Sequence, residues 1–260
     1  MFVNIDNLNI YYEIHGDGMP ILLFHGWGGN SFSLYPIGMN LEKEYKVIYF
    51  DFPGFGKSDI PKRPFDGEDY KNFILKFIDF LNLKNYIIIG HSFGGRIGIR
   101  IAKDRKDKLK ALILIDSAGI RDPKTLKQKF TEKTFKFLKN LVIKNFKGER
   151  REKILKILRG TFGSKDYKSV DGVMRDTLVK IVNEDLTSIM KEISTPTLIL
   201  WGENDKELPL RHAYIMNKNI KNSKLVIIKN AGHFPYLDNL IKVISEIKSF
   251  LGEVINEYSK

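Results

Sequence analysis

Short, nearly continuous runs of apolar and largely β-branched residues recur along the chain, at 21–24, 47–50, 86–89, Leu109–Ile115, 197–201 and 225–228. A strand buried on both faces of a parallel sheet reads in this way. Phe2–Ile5 and Leu8–His15 alternate instead, on either side of Asp6-Asn7, and so predict an antiparallel hairpin at a sheet edge. Between the runs the period changes. Phe73, Ile74, Phe77, Ile78 and Leu81 fall on one face of a helix over 69–81, and a second helix follows at 96–103. Leu240, Val243, Ile244, Ile247 and Leu251 mark a closing helix over 239–251, and the polar tail from Glu253 is expected to fray. Strands alternating with helices predict an α/β fold whose sheet is mostly parallel and covered on both faces.

The alternation stops near residue 119 and resumes after Thr195-Pro196. Leu126, Phe130, Phe137, Leu138, Leu141 and Val142 share one helical face, with lysines over much of the other. Ile154, Leu155 and Leu158 begin a second stripe, and 173–182 suggests a third. The expected organisation is a core domain of residues 1–118 and 195–260, with a helical cap inserted at 119–194 over one edge of the sheet.

Composition narrows the class. With 260 residues, 43% of them apolar and 28% charged, the chain can bury a substantial core as an ordinary globular protein. No apolar run reaches the length of a membrane span, and the N-terminus reads as a strand instead of a leader, so a cytoplasmic location is expected. The absence of cysteine excludes disulfides, a thiol nucleophile and thiolate metal sites. Much of the net charge of +12 sits in the cap, where residues 121–185 hold eighteen Lys or Arg against nine Asp or Glu. Such a patch can attract nucleic acid or anionic lipid. No base-stacking motif accompanies it, so a solvated lysine-rich surface is expected and no nucleic-acid partner.

The 86–89 run leads directly into Gly90-His91-Ser92-Phe93-Gly94, which matches G-x-S-x-G. In that motif the serine occupies a strained strand-to-helix turn with its hydroxyl exposed above a sheet. Gly90 and Gly94 lack the Cβ atoms that would collide there, and Gly95 and Gly98 let helix and strand approach. A serine needs an adjacent base held by a third group. Of the five histidines, only His233 lies in a loop just after a strand parallel to the serine strand, on the edge where such strands end. Asp205 leaves its strand at the same edge and can hold the imidazole; Asp116 and Glu203 are rival acids. The backbone N–H of Phe93, with that of Trp27 in the bend His25-Gly26-Trp27-Gly28-Gly29, can form an oxyanion hole. His25, His91, Arg175 and Phe234 are candidates for substrate contact. Asp51 to Ser58 ends in Gly-Lys-Ser, but the glycine a phosphate loop needs five positions before Gly56 is Asp51.

Taken together, His25-Gly-Trp-Gly-Gly29, Asp51-Phe-Pro-Gly-Phe-Gly-Lys-Ser58, Gly90-His-Ser-Phe-Gly-Gly95, Trp201-Gly-Glu-Asn-Asp205 and Gly232-His233 resemble the α/β-hydrolase fold family, in its capped subgroup, over nearly the whole chain. The resemblance implies an eight-stranded, mostly parallel sheet with an inserted helical cap and a Ser92, Asp205, His233 triad. It implies a serine hydrolase that cleaves esters with an apolar acyl or alkyl group through an acyl-enzyme, acting on a small molecule without metal or organic cofactor. Epoxide hydrolases and haloalkane dehalogenases are similar but use an aspartate nucleophile, against Ser92 here. Carbon–carbon bond hydrolases of ring-fission products are similar too, though they commonly carry Asn before the nucleophile and Trp after the histidine, where this chain has His91 and Phe234. A ligand sensor that keeps the triad but turns over little is the third reading.

Overall fold

In the computed structural model, which describes residues 1–162 and 165–258, the apolar runs assemble into one eight-stranded sheet. Its strands are β1 (Phe2–Ile5), β2 (Leu8–His15), β3 (Pro20–Phe24), β4 (Lys46–Phe50), β5 (Tyr86–His91), β6 (Leu109–Ile115), β7 (Thr197–Gly202) and β8 (Ser223–Ile228). They lie in the order β1-β2-β4-β3-β5-β6-β7-β8. The β1–β2 hairpin closes one edge by antiparallel pairing, and every pair from β4 to β8 is parallel.

The helices are α1 (Tyr35–Gly38), α2 (Gly67–Phe80), α3 (Phe93–Asp104), α4 (Leu126–Asn145), α5 (Gly148–Phe162), α6 (Lys165–Ser169), α7 (Gly172–Val182), α8 (Thr187–Met190), α9 (Arg211–Asn219), α10 (Pro235–Asp238) and α11 (Leu240–Tyr258). Two cores explain why the strands carry apolar residues without alternation. Leu22, Ile48, Ile88 and Leu112 face one layer, built on α2, α3 and α9. Ile21, Val47, Ile87 and Ile113 face the other, under α1 and α11. α2 starts where its sequence allows: Asp66 accepts from the Asp69 N–H while the Asp69 carboxylate accepts from the Asp66 N–H, satisfying two otherwise orphaned donors. Sequence periodicity ends the last helix at 251, whereas the structure continues it to Tyr258, because Val254 still reaches the core on the face of Phe250 and Leu251.

Register fixes the edge that matters. Gly90 is level with Phe24 and Leu114, and Gly202 with Ile228. The loops after β3, β5, β6, β7 and β8 therefore leave the sheet together, as the carboxyl ends of parallel strands must.

Between β6 and β7 the regular elements among the described residues are all helices, α4 to α8. α4 packs on α5, and Val142, Leu155, Met174, Leu178 and Ile181 are buried. The stripe expected to pack splits in two. Leu126, Phe130 and Phe137 are 85%, 73% and 63% exposed, while Val142 is buried. At 100° per residue the apolar arc from Leu126 to Val142 spans about 160°, more than one neighbouring helix covers. No helix among the described residues is long and apolar enough to cross a membrane.

Candidate active site

Ser92 sits between β5 and α3 with φ +50° and ψ −113°, a conformation that L-residues seldom adopt. Neighbouring glycines make this turn possible. A Cβ on Gly90 would come within 2.7 Å of the Gly94 backbone, and one on Gly94 would collide with the Phe24 carbonyl. The turn is clamped by the Ser92 N–H donating to Ile115 O (3.0 Å) and by Ala118 N–H donating to Ser92 O (3.0 Å). Ser92 is also the N-cap of α3, so the free N–H groups and positive dipole end of a twelve-residue helix face its side of the edge.

The loop after β8 brings His233 to this edge, where its Nδ1–H donates to Asp205 Oδ2 at 2.8 Å. Asp205 Oδ1 accepts from the N–H groups of Glu207 (2.8 Å) and Leu208 (3.0 Å). Burial works to raise the Asp205 pKa, but the His233 ring and these N–H donors outweigh it and hold the carboxyl below its usual range. The bond leaves His233 Nε2 as the basic nitrogen, with Glu207 Oε2 3.6 Å away. Glu207 has no pattern that marks it in the sequence beyond standing two residues after Asp205.

The rival acids have other partners. Glu203 Oε2 accepts from Asn230 N–H (3.1 Å) and so braces the loop that carries His233. Asp116 Oδ1 accepts from Gly202 N–H (2.9 Å), and its carboxyl lies against Asp205 and not against the histidine ring's N–H. Asp238 accepts from Gly232 N–H (2.7 Å), a second brace on the histidine loop.

The glycine bend lies alongside the elbow: a Cβ on Gly26 would stand 3.4 Å from Ser92 Cβ and 2.9 Å from His91 Nδ1. The Trp27 ring meets Phe93 and Phe55 edge-on at centroid distances of 5.6 and 4.9 Å, which fixes the bend against the start of α3. Phe93 is the first residue of α3, so its N–H has no carbonyl to meet within the helix.

The four candidates for substrate contact fall in different places. His25 is 1% exposed; its Nδ1–H donates to Gly26 O (2.7 Å) and its Nε2 accepts from Phe52 N–H (3.1 Å). Burial pushes its pKa down to about 4, so it is a neutral strut between the β3 and β4 loops. His91 is equally buried and donates through Nε2–H to His233 O (2.8 Å). Burial, reinforced by the neighbouring His233, pushes it down to about 3. Neither ring is open to a substrate. Phe234 is half exposed and packs on the rings of His91 and His233. Arg175 on α7 is held by its own neighbours, Val170 O (2.6 Å), Asp171 and the Tyr167 ring.

A family model described as alpha/beta hydrolase fold matches residues 19–240. The pimeloyl-[acyl-carrier protein] methyl ester esterase of Legionella pneumophila (strain Lens) is 29% identical over 251 residues, covering 94% of this chain and 100% of that protein. Among solved structures, an esterase from Exiguobacterium antarcticum superposes with a TM-score of 0.75 at 23% identity, covering 96% of this chain and 98% of the other. A meta-cleavage product hydrolase from Pseudomonas fluorescens IP01 gives 0.73 at 20% identity, with 97% of each chain covered.

Proposed function

The chain belongs to the alpha/beta hydrolase fold family, and we propose that within it Ser92, His233 and Asp205 hydrolyse a carboxylic ester through an acyl-enzyme. The observation that carries this reading is the 2.8 Å His233–Asp205 bond at the edge where Ser92 is held with φ +50°. His233 Nε2 takes the hydroxyl proton as Ser92 Oγ attacks the carbonyl carbon. Asp205 keeps the ring in the tautomer with Nδ1–H and stabilises the imidazolium. The N–H groups of Phe93 and Trp27 meet the developing oxyanion, where one such donor is worth about 3–4 kcal/mol. Imidazolium then protonates the leaving alkoxide, and His233 activates water to release the acid and restore Ser92. These steps need only side chains, backbone and water.

The relative from Legionella is named for a methyl ester of an acyl chain. An ester with an apolar acyl or alkyl group is the matching substrate class here, since the partly exposed Trp27, packed on Phe55 and Phe93, puts an apolar ring next to the elbow. The cap at 119–194 acts as a lid on that site. In support, Met174 sits against Gly54, Thr177 Oγ1 accepts from Phe65 N–H (3.1 Å), and Lys180 donates to Pro64 O (3.1 Å).

Turnover of p-nitrophenyl esters of graded acyl length tests this reading. The wild type is expected to hydrolyse them with a clear length optimum. Cleavage of a vinylogous 1,5-diketone acid with no ester turnover would replace the reading by carbon–carbon hydrolysis.

A further inference from the structure

Asp116 is the residue at this edge that the mechanism leaves unused, and its setting is peculiar. It is 0% exposed, at the end of β6, with φ +39°, a left-handed turn that aspartate tolerates better than most residues. Oδ1 accepts from Gly202 N–H, while the buried Oδ2 has no donor among the described residues. One acid oxygen each from Asp116 and Asp205 and a ring nitrogen of His233 lie within 4.8 Å of one another.

Two carboxylates this close and out of water cannot both be ionised; one holds a proton and can donate it to the other. The donors decide which. Asp205 already receives three N–H groups, from His233, Glu207 and Leu208, which favour its charged form. Asp116 receives one. We propose that Asp116 is a neutral carboxylic acid whose Oδ2–H donates to Asp205, making it a positioning residue that holds the triad acid against His233. No proton is consumed: it remains on Asp116 through each turnover.

The same conclusion follows from the energetics of the site. Burial, opposed by the Gly202 N–H and reinforced by Asp205, pushes the Asp116 pKa up to about 9. Its titratable neighbours are Asp205 after β7, His233 after β8, and Tyr236 and Asp238 on α10, with the ring of His91 packed on that of Tyr236. His91 is neutral, and the burial-raised Tyr236 stays protonated, so neither supplies a cation that would favour an Asp116 carboxylate.

The proposal rests on Ser92, His233 and Asp205 being the reacting set, and its test separates the two. Asp116→Asn keeps an acceptor for Gly202 and an N–H for Asp205 but cannot ionise. Thermal unfolding of wild type and Asp116→Asn is compared from pH 5 to 9. A native acid with a raised pKa loses stability as pH rises, so the Tm of the variant minus that of wild type should grow by about 3 °C per pH unit. A difference that is flat or shrinks means that Asp116 is ionised, and overturns the proposal whatever the turnover. In ester kinetics at pH 7, Asp116→Asn should keep kcat within about threefold, whereas Asp116→Ala should lose about tenfold or more in kcat with KM unchanged. Equal activity of the two variants, high or low, contradicts a positioning role.

Discussion

Ser92 is held in a backbone conformation that costs about 1–3 kcal/mol for a residue with a side chain, and its surroundings impose that conformation. β5 ends at His91 and α3 begins at Phe93, so Ser92 alone makes the turn between them. His233 depends on Asp205 in a different way, through which ring nitrogen carries the proton. Asp205→Asn would present an amide where a carboxylate is needed and favour the wrong tautomer. Steady-state kinetics should show kcat reduced by about 10⁴-fold with the fold intact. Gly26→Ala tests the bend: its new methyl would press on His91 and Ser92, and kcat should fall by about 10–100-fold with KM little changed. At this scale the residues proposed to react were legible as candidates because each follows an apolar strand that ends at one edge. The roles of His25 and His91 were not, because a histidine beside a motif looks the same whether its nitrogens face a substrate or a buried carbonyl. Asp116 was visible as a rival acid; only packing reveals that it meets Asp205.

Glu184 joins the helices between β6 and β7 to α2 and α3 through several contacts at once. It accepts from the Gly67 N–H at the start of α2 (2.8 Å) and from Arg100 on α3 (2.9 Å), and its carbonyl accepts from the buried Arg96 (3.1 Å). Burial lowers the Arg96 pKa to about 10, with Glu184 opposing the fall, so the ring of contacts is needed to keep that charge inside. Glu184→Ala leaves the Gly67 N–H and Arg100 without their carboxylate. Urea denaturation should register a loss of about 2–4 kcal/mol, and hydrogen exchange should quicken first in 172–186. The sequence showed the elements of the core well, since strands buried on both faces and an amphipathic helix have distinct periods. It showed helices between β6 and β7 but not which part of the α4 face is covered: periodicity reveals an apolar arc and not the width of the neighbour that meets it. The joint was invisible, because Glu184 and Arg96 are 88 residues apart in the chain.

Across the whole molecule, three buried groups set an acid–base profile of stability. His25 and His91, with pKa values pushed down to about 4 and 3, bind fewer protons folded than unfolded below pH 6.5, so acid destabilises the native state there. Asp116, pushed up to about 9, binds more protons folded, so its contribution falls as pH rises from about 4 to 9. Between about pH 4 and 6.5 two histidines outweigh one aspartate by about 1.4 kcal/mol per pH unit, and above that range the opposing slope of the aspartate remains. Stability by urea denaturation should therefore peak near pH 6.5. A rise continuing to pH 9 would contradict the state assigned to Asp116.

The central claim is that Ser92 is a nucleophile activated at this edge. Its most direct test is reaction of the wild type and Ser92→Ala with a fluorophosphonate, read by intact mass. The account predicts a single adduct on the wild type, none on the variant, and loss of ester turnover in parallel. An adduct that persists on Ser92→Ala, or a wild type that takes up no label while hydrolysing esters, would contradict it.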